Sequence, residues 1–170
     1  MGETASLVGM TKPQLIHHAA GTGTTYSAVG DVYTLLATGE QTGGAYCLAE
    51  ASVLPGSGPP PHFHTREEES FYVFEGEITF TVGEKTVIGR PGTFVQLPRN
   101  LPHAFKNNST QPARMLILCV PSGFEKFLLA FATQLPSRES PPIPPSPAEI
   151  EKLLAVAPNY GIHILPPPTK

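Results

Sequence analysis

The chain has 170 residues, 40% of them hydrophobic and 15% charged, with a formal net charge of −3. That length suits one domain with one core; a weakly acidic balance without a basic stretch argues against nucleic acid as the main partner, and no apolar run is long enough to span a membrane as a helix. The N-terminus lacks a basic start followed by a hydrophobic stretch, so no secretory signal is visible and a cytoplasmic location is the expectation.

Residues 1 to 30 read as an N-terminal arm with little periodicity, carrying His17-His18 as an exposed pair. A long block of short apolar runs follows, broken by Gly, Pro and Asn turns, which is the pattern of an all-β sandwich or barrel. Strands are predicted over residues 31–37, 45–53, 61–64, 70–74, 77–82, 85–88, 93–97, 103–106 and 114–120. Ile78, Phe80 and Val82 alternate with Glu77, Thr79 and Thr81, giving one buried and one wet face, and Val82-Gly83-Glu84-Lys85 reads as a hairpin turn. Cys47 and Cys119 both fall in predicted strands and read as reduced core thiols, with a disulfide as the alternative. The barrel core is expected to end near residue 121. Ser122-Gly123-Phe124-Glu125 has the spacing of a capping box, and Phe124, Phe127, Leu128 and Phe131 recur at helical spacing. A Pro- and Ser-rich linker over 135–147 leads to a second short helix opened by Ser146-Pro147. The proline-rich stretch from Tyr160 to Lys170 is expected to cap one mouth of the barrel.

One constellation stands apart. Residues two apart on a strand point to the same face, so His62 and His64 aim two imidazoles at one point. Glu69 follows five residues later, and His103 arrives beside a proline-marked turn. Three imidazoles and one carboxylate make a ligand set for a divalent transition metal. By the same parity Phe71 shares a face with Glu69 and Phe105 with His103. Each either lines an apolar pocket for a flat ring or belongs to the core. His163 fits no ligand pattern.

Two spaced motifs carry a family resemblance. Gly56, His62, His64, Glu69 and Gly76 resemble the first signature of the cupin superfamily. Gly92, Pro98, Asn100, His103 and Asn107 resemble the second, in the right order. Two residues depart from the pattern: Asn100 stands where glycine is usual, and asparagine tolerates the left-handed turn; Thr93 stands where aspartate is frequent. The resemblance implies a single antiparallel jelly-roll β-barrel, against which the short C-terminal helices and Pro-rich tail read above, over 122–170, are expected to pack. It also implies one metal per chain held by His62, His64, Glu69 and His103, its identity open among Fe, Ni, Co, Mn, Cu and Zn.

Outside the metal signature, the stretches 36–44, 58–62 and 121–125 are similar to single-cupin proteins related to quercetin 2,3-dioxygenase. That similarity implies a small-molecule substrate, flavonol-like or otherwise enolic, dioxygen as the second substrate, and Glu69 as general base. A non-oxygenase cupin such as an isomerase, or a non-catalytic binding or sensing barrel, remains the alternative. Cupins commonly pair through the outer sheet, so a homodimer is expected, with β-rich edges in 31–53 as its contact.

Overall fold

The computed structural model describes residues 14–166. Its strands are β1 (Thr24–Ala28), β2 (Asp31–Ala37), β3 (Cys47–Val53), β4 (His62–His64), β5 (Glu68–Glu75), β6 (Ile78–Val82), β7 (Lys85–Gly89), β8 (Phe94–Leu97), β9 (His103–Lys106), β10 (Ala113–Val120), β11 (Thr133–Leu135) and β12 (Ile162–Ile164). They build two antiparallel sheets, a seven-stranded one in the order β11-β1-β2-β3-β10-β5-β8 and a five-stranded one in the order β12-β4-β9-β6-β7. This is the mostly-β jelly roll expected, with helices α1 (Gly39–Thr42), α2 (Phe124–Phe131) and α3 (Pro147–Val156) added. Among the described residues no helix is long and apolar enough to cross a membrane.

The nine predicted strands are present, with ends shifted by two residues at most. Three more were not anticipated. β1 lies in the stretch read as an arm and pairs with β2 and β11, while β12 pairs with β4. Each is three to five residues long, too short to show a period, and each exists because a distant segment supplies its hydrogen-bond partners. The Val82–Lys85 pair closes a two-residue hairpin around Gly83 and Glu84. Asn100 adopts the left-handed conformation, φ 63°, that its place in the second motif requires.

The core sits between the sheets. Phe71, Phe80 and Phe105 meet there with ring centroids 5.2 to 6.5 Å apart, and Val53, Val73 and Ile78 are fully buried beside them. Burying each such phenylalanine is worth roughly 1.5–3 kcal/mol. Gly58 lets the chain cross into β4, because a Cβ there would lie 2.1 Å from the Phe105 carbonyl oxygen. Cys47 and Cys119 face each other across β3 and β10 as buried free thiols.

The helix after the barrel begins differently from the expected capping box. Gly123, not Ser122, is the N-cap and makes no side-chain cap. Glu125 instead accepts from the Gly123 N–H and from the Gly39 N–H, each at 2.8 Å, so its carboxylate ties α2 to the start of α1. Burial would raise the Glu125 carboxyl, but the Gly39 N–H, with a Cys47 thiol and the Gly123 N–H, outweighs it and lowers the pKa. A complete capping box does occur at Thr38 and Gln41, opening α1. Helix α3 opens as expected, with the Ser146 hydroxyl accepting from the Glu149 N–H and proline in the first turn. Phe127, Leu128 and Phe131 of α2 and Leu153 of α3 are buried on one mouth of the barrel.

Candidate metal centre and its cavity

Strand pairing assembles the site. β4 and β9 bring His62 and His103 into register as a directly opposed pair, and the pleat sets His64 beside His62 on the inner face. Phe63, between them, points outward and stacks on His163 at 4.8 Å. Glu69 enters from β5 in the other sheet. All four predicted ligands are buried, and their donor atoms lie within 4.8 Å of one another.

Each imidazole is held by its outer nitrogen. The His62 Nδ1–H donates to the Pro60 carbonyl at 2.9 Å and the His103 Nδ1–H to the Leu101 carbonyl at 2.8 Å. A carbonyl can only accept, so the proton sits on Nδ1 and the Nε2 lone pair faces inward. His64 Nδ1 faces Glu67 Oε2 at 3.4 Å. Glu67 was read only as part of a glutamate run; it is buried and lies in the bend between β4 and β5, three residues beyond His64. Gly123 presses on it, since a Cβ there would come within 2.4 Å of Glu67 Oε1.

The inward atoms converge on one point. Glu69 Oε2 lies 3.2 Å from His103 Nε2 and 3.7 Å from His64 Nε2. Among the described residues His64 Nε2 is buried with no hydrogen-bond partner. Lone pairs converging on a carboxylate call for a cation between them, and an unpartnered buried acceptor is otherwise costly. The arrangement thus fits a divalent transition metal of the kind that takes imidazole and carboxylate, with the outer contacts fixing ring orientation.

Charge in the site follows the same geometry. Burial would raise the Glu69 carboxyl, but His64, then His103 and His62, outweigh it and hold the pKa at about 2. Burial, then the neighbouring His103, lowers His62 to about 4. Burial would lower His64 too, but the carboxylates of Glu69 and Glu67 raise it. The Cys119 thiol donates to Glu69 Oε1 at 3.9 Å.

An apolar cavity of ≈ 70 Å³ opens beside the cluster. His62, His64 and Glu69 form its polar wall, and Phe105, Ile117, Leu128 and Ile162 are among its apolar lining. Of the two candidate pocket phenylalanines, Phe105 lines this cavity. Phe71 sits behind it, packed on Phe80 and Phe105. The C-terminal segment reaches the same place through Ile162 and Ile164, so the part of the tail that closes the barrel is a strand added to β4. The rest of that tail, from 167 onward, and the first 13 residues lie outside the described residues.

A two-sheet jelly roll holding three inward histidines and one glutamate defines a metal-site barrel. Residues 49–120 match the cupin domain family, and with this fold and both spaced motifs the chain belongs to the cupin superfamily, with a single cupin domain. It is 31% identical over 137 residues to germin-like protein subfamily 2 member 2 of Arabidopsis thaliana, covering 78% of this chain and 54% of that one. It is 26% identical over 96 residues to quercetin 2,3-dioxygenase of Bacillus subtilis, covering 56% of this chain and 28% of that one. The chain therefore spans about half the length, or less, of these curated relatives. A solved structure of a predicted oxalate decarboxylase from Thermotoga maritima superposes with a TM-score of 0.56 at 18% identity, over 64% of this chain and 99% of that one; that likeness concerns the fold.

Proposed function

We propose that this cupin is a metal-dependent dioxygenase acting on a flavonol-like or more compact enolic small molecule. The observation that carries the proposal is a buried glutamate set among three imidazoles at the wall of a largely apolar cavity. The partial similarity to quercetin 2,3-dioxygenase supports the same chemistry. A divalent metal held by His62, His64, Glu69 and His103 supplies the Lewis acidity that lowers the pKa of an enolic hydroxyl. Glu69, kept ionised, is the base that accepts that proton. Phe105 and the α2 face hold the flat, apolar part of the substrate and keep water from the resulting electron-rich anion, which then reacts with dioxygen.

Size sets the substrate range. Pockets for ligands of several rings run to roughly 300–1,000 Å³, well above the ≈ 70 Å³ here. A single-ring enol suits this conformation; a three-ring flavonol requires α2 and α3 to move outward. The same tightness favours a second reading, isomerisation of a compact enol by Glu69 without dioxygen. Oxygen uptake by the metal-reconstituted protein separates them, with 3-hydroxyflavone and 3-hydroxy-2-methyl-4-pyranone as trial substrates. Uptake that needs both metal and enol supports the dioxygenase. Turnover without uptake sinks it in favour of isomerisation.

A further inference from the structure

One polar side chain on the cavity wall is left unused by the metal cluster. Apart from His62, His64 and Glu69, every lining residue has an apolar side chain except Tyr33. Tyr33 lies at the middle of β2, opposed to Tyr26 of β1 and Ala51 of β3, and it is only 8% exposed. Buried tyrosine hydroxyls ordinarily find a partner. This one has none among the described residues. The space that the Tyr33 side chain lines is the cavity beside the cluster. A phenylalanine would serve the packing equally well. What the hydroxyl adds is a single hydrogen-bond donor in a chamber whose remaining surface outside the cluster is hydrocarbon.

Its protonation agrees with a donor role. Burial, with Asp31 and Glu69 nearby, pushes the phenol well above its ordinary pKa, so the O–H is kept at every working pH. A ligand filling the space between the hydroxyl and the cluster meets acceptor-seeking chemistry at both ends, a Lewis-acid site at one and a neutral O–H at the other.

We infer that Tyr33 is a substrate-binding and specificity-determining residue, its O–H donating to an oxygen of a compact, otherwise apolar enol or enolone whose other oxygen faces the His62, His64, Glu69 and His103 cluster. This rests on the enolic-substrate reading above. It excludes pure hydrocarbons and polyhydroxylated sugars, which would offer either no acceptor or several hydroxyls to an apolar wall.

Tyr33→Phe tests it in cobalt-loaded full-length protein, by titrating the cobalt visible spectrum with 3-hydroxy-2-methyl-4-pyranone and, separately, with azide. Loss of the donor leaves the ligand oxygen unpaired, so the pyranone Kd is expected to rise roughly 5- to 100-fold, while azide affinity, cobalt content and Tm stay at wild-type values. An unchanged pyranone Kd overturns the inference, as does wild-type protein that fails to bind the pyranone. Equal weakening of azide and pyranone also overturns it, because Tyr33 would then act through the cluster. Should the variant not fold, the infrared carbonyl stretch of pyranone bound to the wild type decides: a shift on deuterium exchange is expected, and none overturns the inference. These are binding readouts, so an absence of oxygen uptake defeats the proposed reaction without touching this assignment.

Discussion

Two clusters of charge lie on opposite faces of the seven-stranded sheet, the outer one half-buried and the inner one buried, and they are finished differently. On the outer face Glu50 of β3 accepts from Arg114 Nε and Nη2 at 3.0 and 2.6 Å and is paired with Arg138 as well. Inside, Glu69 of β5 faces imidazole nitrogens and the Cys119 thiol, and one of those nitrogens has no hydrogen-bond partner among the described residues. The outer glutamate has its cations supplied by the chain; the inner one belongs to a donor set that fits a divalent metal. A third carboxylate shows what happens with neither. Asp31 accepts from the Leu54 N–H at 3.1 Å, and burial, despite that bond and one from Ser57, raises its pKa to about 6. Glu50 brings its counter-charge, Glu125 is satisfied by backbone N–H groups and Asp31 is left costly to ionise; Glu69, set among three imidazoles, marks the site.

The largest effect should come from Glu69→Gln, which keeps the shape and removes the inner charge. Metal affinity is expected to fall at least ~100-fold, and any enol-dependent oxygen uptake by roughly 10²–10⁴-fold. Metal content after dialysis and an oxygen electrode measure the two losses. Retained metal with full turnover would place Glu69 outside the chemistry and erase the contrast with Glu50.

Asp31 sharpens the comparison through pH. Its carboxyl ionises near 3.8 when unfolded and about 6 when folded. Between those values the native state binds the extra proton, so stability falls as pH rises from about 4 to about 6 and is level above. The size is on the order of 3 kcal/mol. In Asp31→Asn that slope should vanish, leaving the variant more stable than wild type at neutral pH. Urea denaturation of both proteins across pH 4–7 checks the difference; parallel curves would mean that Asp31 ionises in the fold as freely as in solution.

Much of this was legible from local spacing, and the missing parts share a cause. His62, His64, Glu69 and His103 were readable because a strand's period of two and a motif's fixed gaps are local facts. Glu67 was hidden inside a run of three glutamates; its distance of three residues from His64 was the available signal, but only the bend between β4 and β5 turns that spacing into a contact. Tyr33 was invisible as a site residue because its role depends on which wall of the barrel the cavity touches. The Ser122 capping box failed for a tertiary reason: Glu125, the residue that completed the pattern, is engaged by Gly39, 86 residues away. β1, β11 and β12 were missed because their hydrogen bonds come from distant segments.

Glu67→Gln tests whether the contact behind His64 matters as much as the donors in front. The amide oxygen still accepts from Nδ1–H but without charge, so the imidazole keeps its orientation and loses basicity. Metal affinity should fall about 10-fold, at the low end of the usual effect of such supporting contacts, with Tm of the metal-free protein nearly unchanged. Competition with a chromogenic chelator reads the affinity.

The smallest effect is expected on the outer face. Arg114 is 34% exposed, so its bonds to Glu50 are screened by solvent, and Arg138 remains when Arg114 is removed. A double-mutant cycle of Arg114→Ala with Glu50→Gln should give a coupling of ~0.5–1 kcal/mol that shrinks in added salt, with metal content unaltered in all three variants. A coupling above ~3 kcal/mol, insensitive to salt, would mean that this pair behaves as a sealed ion pair. The two faces of the sheet would then differ in chemistry alone and not in exposure, and the claim that solvent and arginine relieve the outer glutamate would have to give way to one resting on arginine only.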